Sequence, residues 1–561
     1  MRPTRLARIV VAIVVSSTTI ARSQEAVDLG IVDRIKGEAF ARSEVMDHLR
    51  NLTDLRGPRL TGSPQFEDAA KWTVERLTKY GLSNVKIERW GPFGRSWSIE
   101  QYSVEMMAPQ YARLAVMPLA WSASTPGPIT GEPMLTPLNV SFTDGGFKRL
   151  SESFEAYRKQ WTGKLRGKIV LLTSDRPKSP LEKPLFTRIS DADLSQMANA
   201  PEPVALARVS KIDDIVWPDK PEETFKIFMA LPAPLIDQLI DKFDAMALER
   251  GQFFAAEGVS AILIADERAR EGMLASEAAG SHRARDSQSP PTFVVTAEHY
   301  GRIARLLEQK QPVRLRVDLK ATTSEQEVDG GNIVGEIPGG ARRDEIVMIG
   351  AHFDSWHSGT GTTDNGVGSA VMIEVVRILK TLNLKLDRTV RIALWGGEEQ
   401  GLLGSRAYVK AHFADPATMA LKPEHERLSG YFNLDNGSGK IRGVYLQGHE
   451  AMRPLFEQWL APFHDLGVST ITIRNTGGTD HLSFNRVGLP GFQFIQDPLD
   501  YGSLTHHTSA DTLDHAVPGD LMQASAVIAS IVYQAANRPE RLPRRELPKA
   551  EIPSKPSDDR R

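Results

Sequence analysis

From about residue 330 the chain repeats one unit: a short continuous apolar run, a polar loop, and a stretch with helical spacing. Residues 346–351, 390–395, 430–434 and 492–495 are apolar runs of the length that a strand buried on both faces requires. Helical patterns at 367–382, 402–413 and 453–463 alternate with them. This alternation predicts an α/β domain around a mainly parallel mixed sheet flanked by helices. In such sheets the crevice outside the carboxyl ends of the strands is where ligands bind, so the residues that follow each run are the informative ones. Run 346–351 leads into His352-Phe-Asp354, run 390–395 into Gly396-Gly-Glu398-Glu399, and run 430–434 into Asp435. Asp364 stands at the mouth of the long helix, and run 492–495 is followed by Tyr501-Gly-Ser-Leu-Thr-His506-His507-Thr-Ser-Ala-Asp511. Ten of the 13 histidines lie from His352 onward.

Several carboxylates gathered in one crevice repel one another unless positive charge sits among them. Two divalent cations would supply it. The chain has no cysteine, which excludes a thiolate metal site, an iron–sulfur cluster, a disulfide scaffold and a cysteine nucleophile. Imidazole with carboxylate ligands suits zinc, with cobalt or manganese as replacements. Two such ions about 3.5–4 Å apart can activate a water and polarise a carbonyl together, which is metal-assisted hydrolysis. Each element alone has a plainer reading. His-x-Asp is often a loop hydrogen-bond pair, Asp364-Asn-Gly a turn or helix cap, Glu398-Glu399 a solvated helix start, and Asp435-Asn-Gly a turn. Only their joint placement on the strand ends of one sheet favours chemistry.

These motifs, read together as His352-Phe-Asp-Ser-Trp-His to Asp364-Asn-Gly, Trp395-Gly-Gly-Glu-Glu399, Asn433-Leu-Asp435 and His506-His507-Thr-Ser-Ala-Asp-Thr, resemble the M28 family of zinc exopeptidases, most of all its carboxypeptidase Q branch. The resemblance implies two zinc ions per chain, with His352 and Asp435 on one, Glu399 and His507 on the other, and Asp364 bridging. It implies Glu398 as the general base that takes a proton from the attacking water, and Asp354 as the partner that orients His352. It also implies a peptide or dipeptide substrate, and leaves a homodimer open. Many members have Tyr before the last ligand; His506 stands there, and an oxyanion or substrate role competes with simple packing. Asp480-His481 resembles another pair common in the family. His481 competes with His507 for the last ligand position, and the Thr508-x-x-Asp511-Thr512 context favours His507; Asp480 reads as a helix cap. Three other readings stand beside this one: an M20-like carboxypeptidase or deacylase, a glutaminyl cyclase-like enzyme with one zinc, and a peptidase-like binding protein without catalysis.

Residues 1–23 combine three early arginines, a short apolar run and a small-polar stretch, the layout of a signal peptide, which predicts a secreted or periplasmic protein. Residues 24–125 read as the N-terminal part of the peptidase domain, and 126–320 as an inserted β-rich module resembling a protease-associated domain, with a helical insertion. Residues 321–540 read as the catalytic domain and 541–561 as a disordered tail. With 68 Lys and Arg against 70 Asp and Glu there is no basic footprint for nucleic acid. No run of about 18 apolar residues follows the leader, so stable membrane insertion is not expected.

Overall fold

The computed structural model describes residues 27–550 apart from 139–145, 174–183, 203–210 and single positions or pairs within 219–232 and 267–270. The leader 1–23 and residues 551–561 lie outside the described residues.

One eight-stranded mixed sheet organises the molecule. Its strands in chain order are β1 (Ser83–Gly94), β2 (Val328–Ile337), β3 (Arg342–His352), β4 (Arg388–Trp395), β5 (Leu428–Asn433), β6 (Ile441–Tyr445), β7 (Thr470–Thr472) and β8 (Gly491–Gln496). They lie side by side as β1-β2-β4-β3-β5-β8-β6-β7. The four central strands β4, β3, β5 and β8 run parallel, while β1 with β2, β2 with β4 and β8 with β6 pair antiparallel. The parallel centre therefore sends four carboxyl ends to one edge.

Alternate side chains of β3 serve different layers, as a period of two requires. Val347, Ile349 and Ala351 join the larger core with the helices Leu29–Ala41, Val45–Leu52, Val367–Thr381 and Pro518–Asn537. Ile346 and Met348 join the opposite layer with Tyr408, Val409, Phe413 and Phe484. Helix Val367–Thr381 is buried along its length, from Val367 to Leu379, because the sheet lies under it and helices from both chain ends lie over it. Its two buried ionic side chains are paired inside: Arg377 donates to Glu374 at 2.7 Å and to Glu38 at 2.8 Å, and His48 lies 3.3 Å from Glu374.

The region between β1 and β2 builds a five-stranded sheet from 116–118, 292–295, 261–264, 169–173 and 133–138 in that spatial order, next to a four-stranded sheet dominated by Trp97–Ala108 and Arg314–Thr323. A β-rich module was expected here. The expected helical insertion is present as Ala233–Glu257, and Gly146–Trp161 and Ala297–Glu308 are further helices among the strands. The signal was present in the spacing of Phe147, Leu150, Phe154 and Tyr157, which line one helix face and are all buried.

The expected disorder of the tail does not hold for its first part. Leu542 is buried against the core, its N–H donates to Ser429 Oγ at 3.1 Å, and Arg544 donates to the carbonyls of His425 and Leu428 at 2.6 and 2.8 Å. A Pro- and Arg-rich composition reads as solvated, yet one leucine and the forked guanidinium are enough to dock it. Leu542→Asp should free the tail and cost about 2–3 kcal/mol, measured as a lowered urea midpoint.

Candidate metal centre

Strand β3 ends in His352, whose carbonyl accepts from Ser369 Oγ at 2.8 Å and whose ring is buried. Its Nδ1 faces the backbone carbonyl of Asp354 at 3.0 Å, so Nδ1 carries the proton and donates. That leaves Nε2 facing Asp364 Oδ1 at 3.1 Å and Asp435 Oδ1 at 3.3 Å. His507 repeats the arrangement. Its Nδ1 donates to Glu277 Oε1 at 2.8 Å, and its Nε2 faces Glu399 Oε2 at 3.1 Å and Asp364 Oδ2 at 3.3 Å. Asp364 thus stands between two imidazoles, one at each oxygen.

Three buried carboxylate oxygens here have no hydrogen-bond donor: Asp364 Oδ2, Glu399 Oε1 and Asp435 Oδ1. Burial leaves such oxygens uncompensated unless a cation reaches them. Two ligands each about 2.0–2.2 Å from a tetrahedral zinc lie roughly 3.3–3.6 Å apart, close to the nitrogen–oxygen separations above. Two further groupings of ligand atoms suited to a metal occur among the described residues, His352 with Asp364 and Glu399, and Asp364 with His506 and His507. The donor set therefore fits divalent metal ions held by nitrogen and oxygen.

The charges of the metal-free cluster are unbalanced in the way this predicts. Burial opposes a charge on His352, but Asp435 and Glu398 push its pKa well above the ordinary imidazole range. Burial likewise opposes ionising Asp364, yet hydrogen bonds from His352 and His507 hold it well below the carboxylate range. Burial and then the Asp364 charge push Glu399 up to about 7. Glu398 is pushed well above its usual range, first by burial and then, against the pull of His352, by Asp435, Asp480 and Glu399. Protons occupy positions where cations would do the same work.

Asp354 differs from its expected part. Its carboxylate is 3.7 Å from His352 Nδ1, and its backbone carbonyl makes the closer contact. The carboxylate instead accepts from the N–H groups of Glu398 at 3.1 Å and Glu399 at 3.4 Å, and from Thr61 Oγ at 2.9 Å. Thr61 Oγ also accepts from the Gly397 N–H at 2.9 Å. Asp354 therefore braces the Glu398-Glu399 turn while its backbone orients His352.

His506 lies at the rim. Its side chain is 42% exposed, it stacks on His507 with ring centroids 3.8 Å apart, and its Nε2 is 3.7 Å from Asp364 Oδ2. His481 is not brought to the cluster: it is buried with Nε2 2.9 Å from Gln447 Nε2 and 3.1 Å from the Thr476 carbonyl. Asp480 precedes helix His481–Asn485, but its carboxylate makes no capping hydrogen bond; burial pushes it up to about 8.

Three further residues support the site; Arg59 and Glu277 had no signal in the sequence pattern, and Asp511 stood out only as part of the motif after His507. Arg59, in the turn-rich loop before helix Pro64–Lys79, is fully buried and donates to four carbonyls: Phe353 at 2.7 Å, Leu52 at 2.9 Å, Thr360 at 3.1 Å and Gly361 at 2.8 Å. Gly361 can accept this approach because its φ is +68° and a Cβ there would meet Ser355 Cβ at 2.3 Å. Asp511 accepts from Thr363 N–H and Oγ and from the Asp364 N–H at 3.3 Å, fixing the Asp364 backbone. Glu277 comes from the inserted region; burial opposes its charge, but His507 and Arg268 hold its carboxyl well below the usual range. None of these contacts follows from local spacing, since each joins segments remote in the chain.

Residues 332–532 match the model of peptidase family M28. The chain is similar to carboxypeptidase Q of Mus musculus, 25% identical over 519 residues that cover 92% of this chain and 90% of that protein. Its similarity to aminopeptidase YwaD of Bacillus subtilis is 28% over 240 residues, 42% of this chain and 49% of that one. Among solved structures, a peptidase M28 precursor from Shewanella amazonensis superposes with a TM-score of 0.61 at 23% identity, covering 92% of this chain and 98% of the other. A zinc aminopeptidase from Bacillus subtilis gives 0.53 at 20% identity over 88% and 95%. At these identities the two structures speak to the fold.

Proposed function

We propose, from the match of residues 332–532 to the model of peptidase family M28, that the protein is an exported exopeptidase that hydrolyses terminal peptide bonds of peptides or dipeptides with two zinc ions. The observation that carries the reading is the set of buried carboxylates with donor-free oxygens, Asp364, Glu399 and Asp435, gathered around the Nε2 atoms of His352 and His507. In this reading His352 and Asp435 hold one zinc, Glu399 and His507 the other, and Asp364 serves both. The pair, when bound, supplies Lewis acidity at the scissile carbonyl and lowers the pKa of water.

The chain's own residues do the rest. Glu398, buried beside the ligands, takes the proton of the attacking water and delivers it to the leaving amine. Asp354 accepts from the Glu398 N–H and Thr61 from the Gly397 N–H, so the turn that carries the carboxylate is held in place. His506, at the exposed rim beside Asp364, is placed to donate to oxyanion or substrate oxygen. Residues 24–125 and 321–540 form the peptidase domain in this reading, and 126–320 a protease-associated domain. The composition of 1–23 supports export, and no helix among the described residues is long and apolar enough to cross a membrane.

The test is a panel of peptides with free or blocked N-termini and free or amidated C-termini, incubated with zinc and read by mass spectrometry. Loss of single residues from one free terminus, or splitting of dipeptides, is expected, and blocking that terminus should abolish it. Cleavage confined to internal bonds, or a metal-loaded protein that cleaves no member of the panel, overturns the reading.

A further inference from the structure

One metal-ligand candidate is held from outside the large sheet. Residues 273–279 of the inserted region run as an extended segment gripped on both sides. Toward its own region, the Ala120 N–H donates to the Glu277 carbonyl at 2.9 Å and the Ala279 N–H to the Ala120 carbonyl at 2.8 Å. Toward the site, the Ser276 N–H donates to the His507 carbonyl at 3.1 Å and the Ser509 N–H to the Leu274 carbonyl at 2.8 Å. Leu274 N–H in turn donates to Ser509 Oγ at 3.1 Å. His507 has a φ of +57°, a left-handed conformation that non-glycine residues adopt only when their surroundings impose it. The segment supplies that constraint.

Glu277 sits in this segment. Its Oε1 accepts from His507 Nδ1 at 2.8 Å and from Arg268 Nη2 at 3.0 Å. Arg268 is fixed in turn by Asp266, at 2.9 and 3.0 Å to its two oxygens. A carboxylate on Nδ1–H fixes the tautomer and ring plane of an imidazole and raises the basicity of Nε2. His352 is oriented differently, its Nδ1 partner being the Asp354 carbonyl at 3.0 Å with the Asp354 carboxylate farther off at 3.7 Å.

We propose that Glu277 is the positioning residue for His507, so that the inserted region sets the affinity of one of the two metal sites and leaves the other unaffected. The inference rests on the reading of His507 as a metal ligand. Glu277 never touches substrate; it acts through the histidine.

The experiment titrates full-length, metal-stripped protein with zinc in competition with a chromophoric chelator, which reads affinity without activity. Two sites are expected in the unaltered protein. Glu277→Ala should weaken one of them about 10–100-fold and leave the other unchanged. Glu277→Gln, which keeps an acceptor but loses the charge, should weaken the same site less. His507→Ala should weaken that same site, and adding Glu277→Ala to it should cause no further loss. Asp435→Ala should weaken the other site, with the Glu277→Ala effect persisting on top. If Glu277→Ala and Glu277→Gln leave both affinities intact, or lower both equally, the positioning role is overturned while the two-zinc reading stands. If the unaltered protein binds no zinc, the two-zinc reading falls and this inference with it.

Discussion

Glu398→Gln is expected to retain two zinc ions and to lose about 10²–10⁴-fold in kcat on any peptide the unaltered protein cleaves. The amide keeps the volume of the side chain in its buried position, so packing around it is preserved. The backbone that carries it is held by Asp354 rather than by the side chain itself, so the turn should not move. What disappears is a base. The pH profile gives a second reading. Burial, then Asp435, Asp480 and Glu399, push the Glu398 carboxyl up in the metal-free cluster, and bound cations pull it back. A base works only when ionised, so the rate of the unaltered protein falls as pH drops through the Glu398 pKa. The Gln variant should lack that acid limb. A variant with both metals and kcat within tenfold of the unaltered protein would remove Glu398 from the mechanism. Glu399→Gln makes the contrast, since loss of a ligand should appear first as loss of metal.

Arg59→Ala is expected to cost about 3–5 kcal/mol, read as a lower urea midpoint, and to reduce metal content. The guanidinium ties the end of helix Val45–Leu52 to the loop 353–361 through its four carbonyl contacts. Removing it leaves those carbonyls buried without donors, and it also removes a cation from the neighbourhood of Asp511, Asp354, Asp364 and Glu399. Burial presses the guanidinium down to about 10, against these acids, and it stays charged at neutral pH. Arg59→Lys should recover little, because one ammonium cannot span acceptors that the planar fork meets from several sides. Stability and metal content equal to those of the unaltered protein would show that the loop is held by other means.

The ligand candidates were legible because four of them sit just after a buried strand or at the mouth of a helix, and His507 lies in the loop that follows the last central strand, where topology brings them together. His352, Asp364, Glu399, Asp435 and His507 lie within hydrogen-bond range of one another along a continuous path. Their supports were not legible. Asp354 was expected on the His352 ring, but a His-x-Asp spacing does not say whether the carboxylate or the peptide carbonyl makes the contact. Arg59 lies in a loop whose Gly and Pro residues announce a turn and nothing about its target. Glu277 is one acid among many in a region with its own core. The helix Leu29–Ala41 also escaped: its apolar positions Val32, Ile35 and Ala39 follow helical spacing, but charged residues between them mask the pattern.

Helix Val367–Thr381 carries a consequence for how the chain must be made. It is buried along most of its length, and its cover comes from Leu29–Ala41 and Val45–Leu52 at one end of the chain and Pro518–Asn537 at the other. During synthesis, the first two helices emerge long before their partner, and the third emerges last. Until residue 537 is available the central helix has a bare flank, so the large core cannot close progressively from the N-terminus. The inserted region contains its own sheets and core, although its helix Ala233–Glu257 also packs Leu235, Ile236 and Leu239 against Leu402 and Leu482. The large core, and with it the candidate site at the edge of the sheet, is therefore completed only when helices from both ends meet over a single helix.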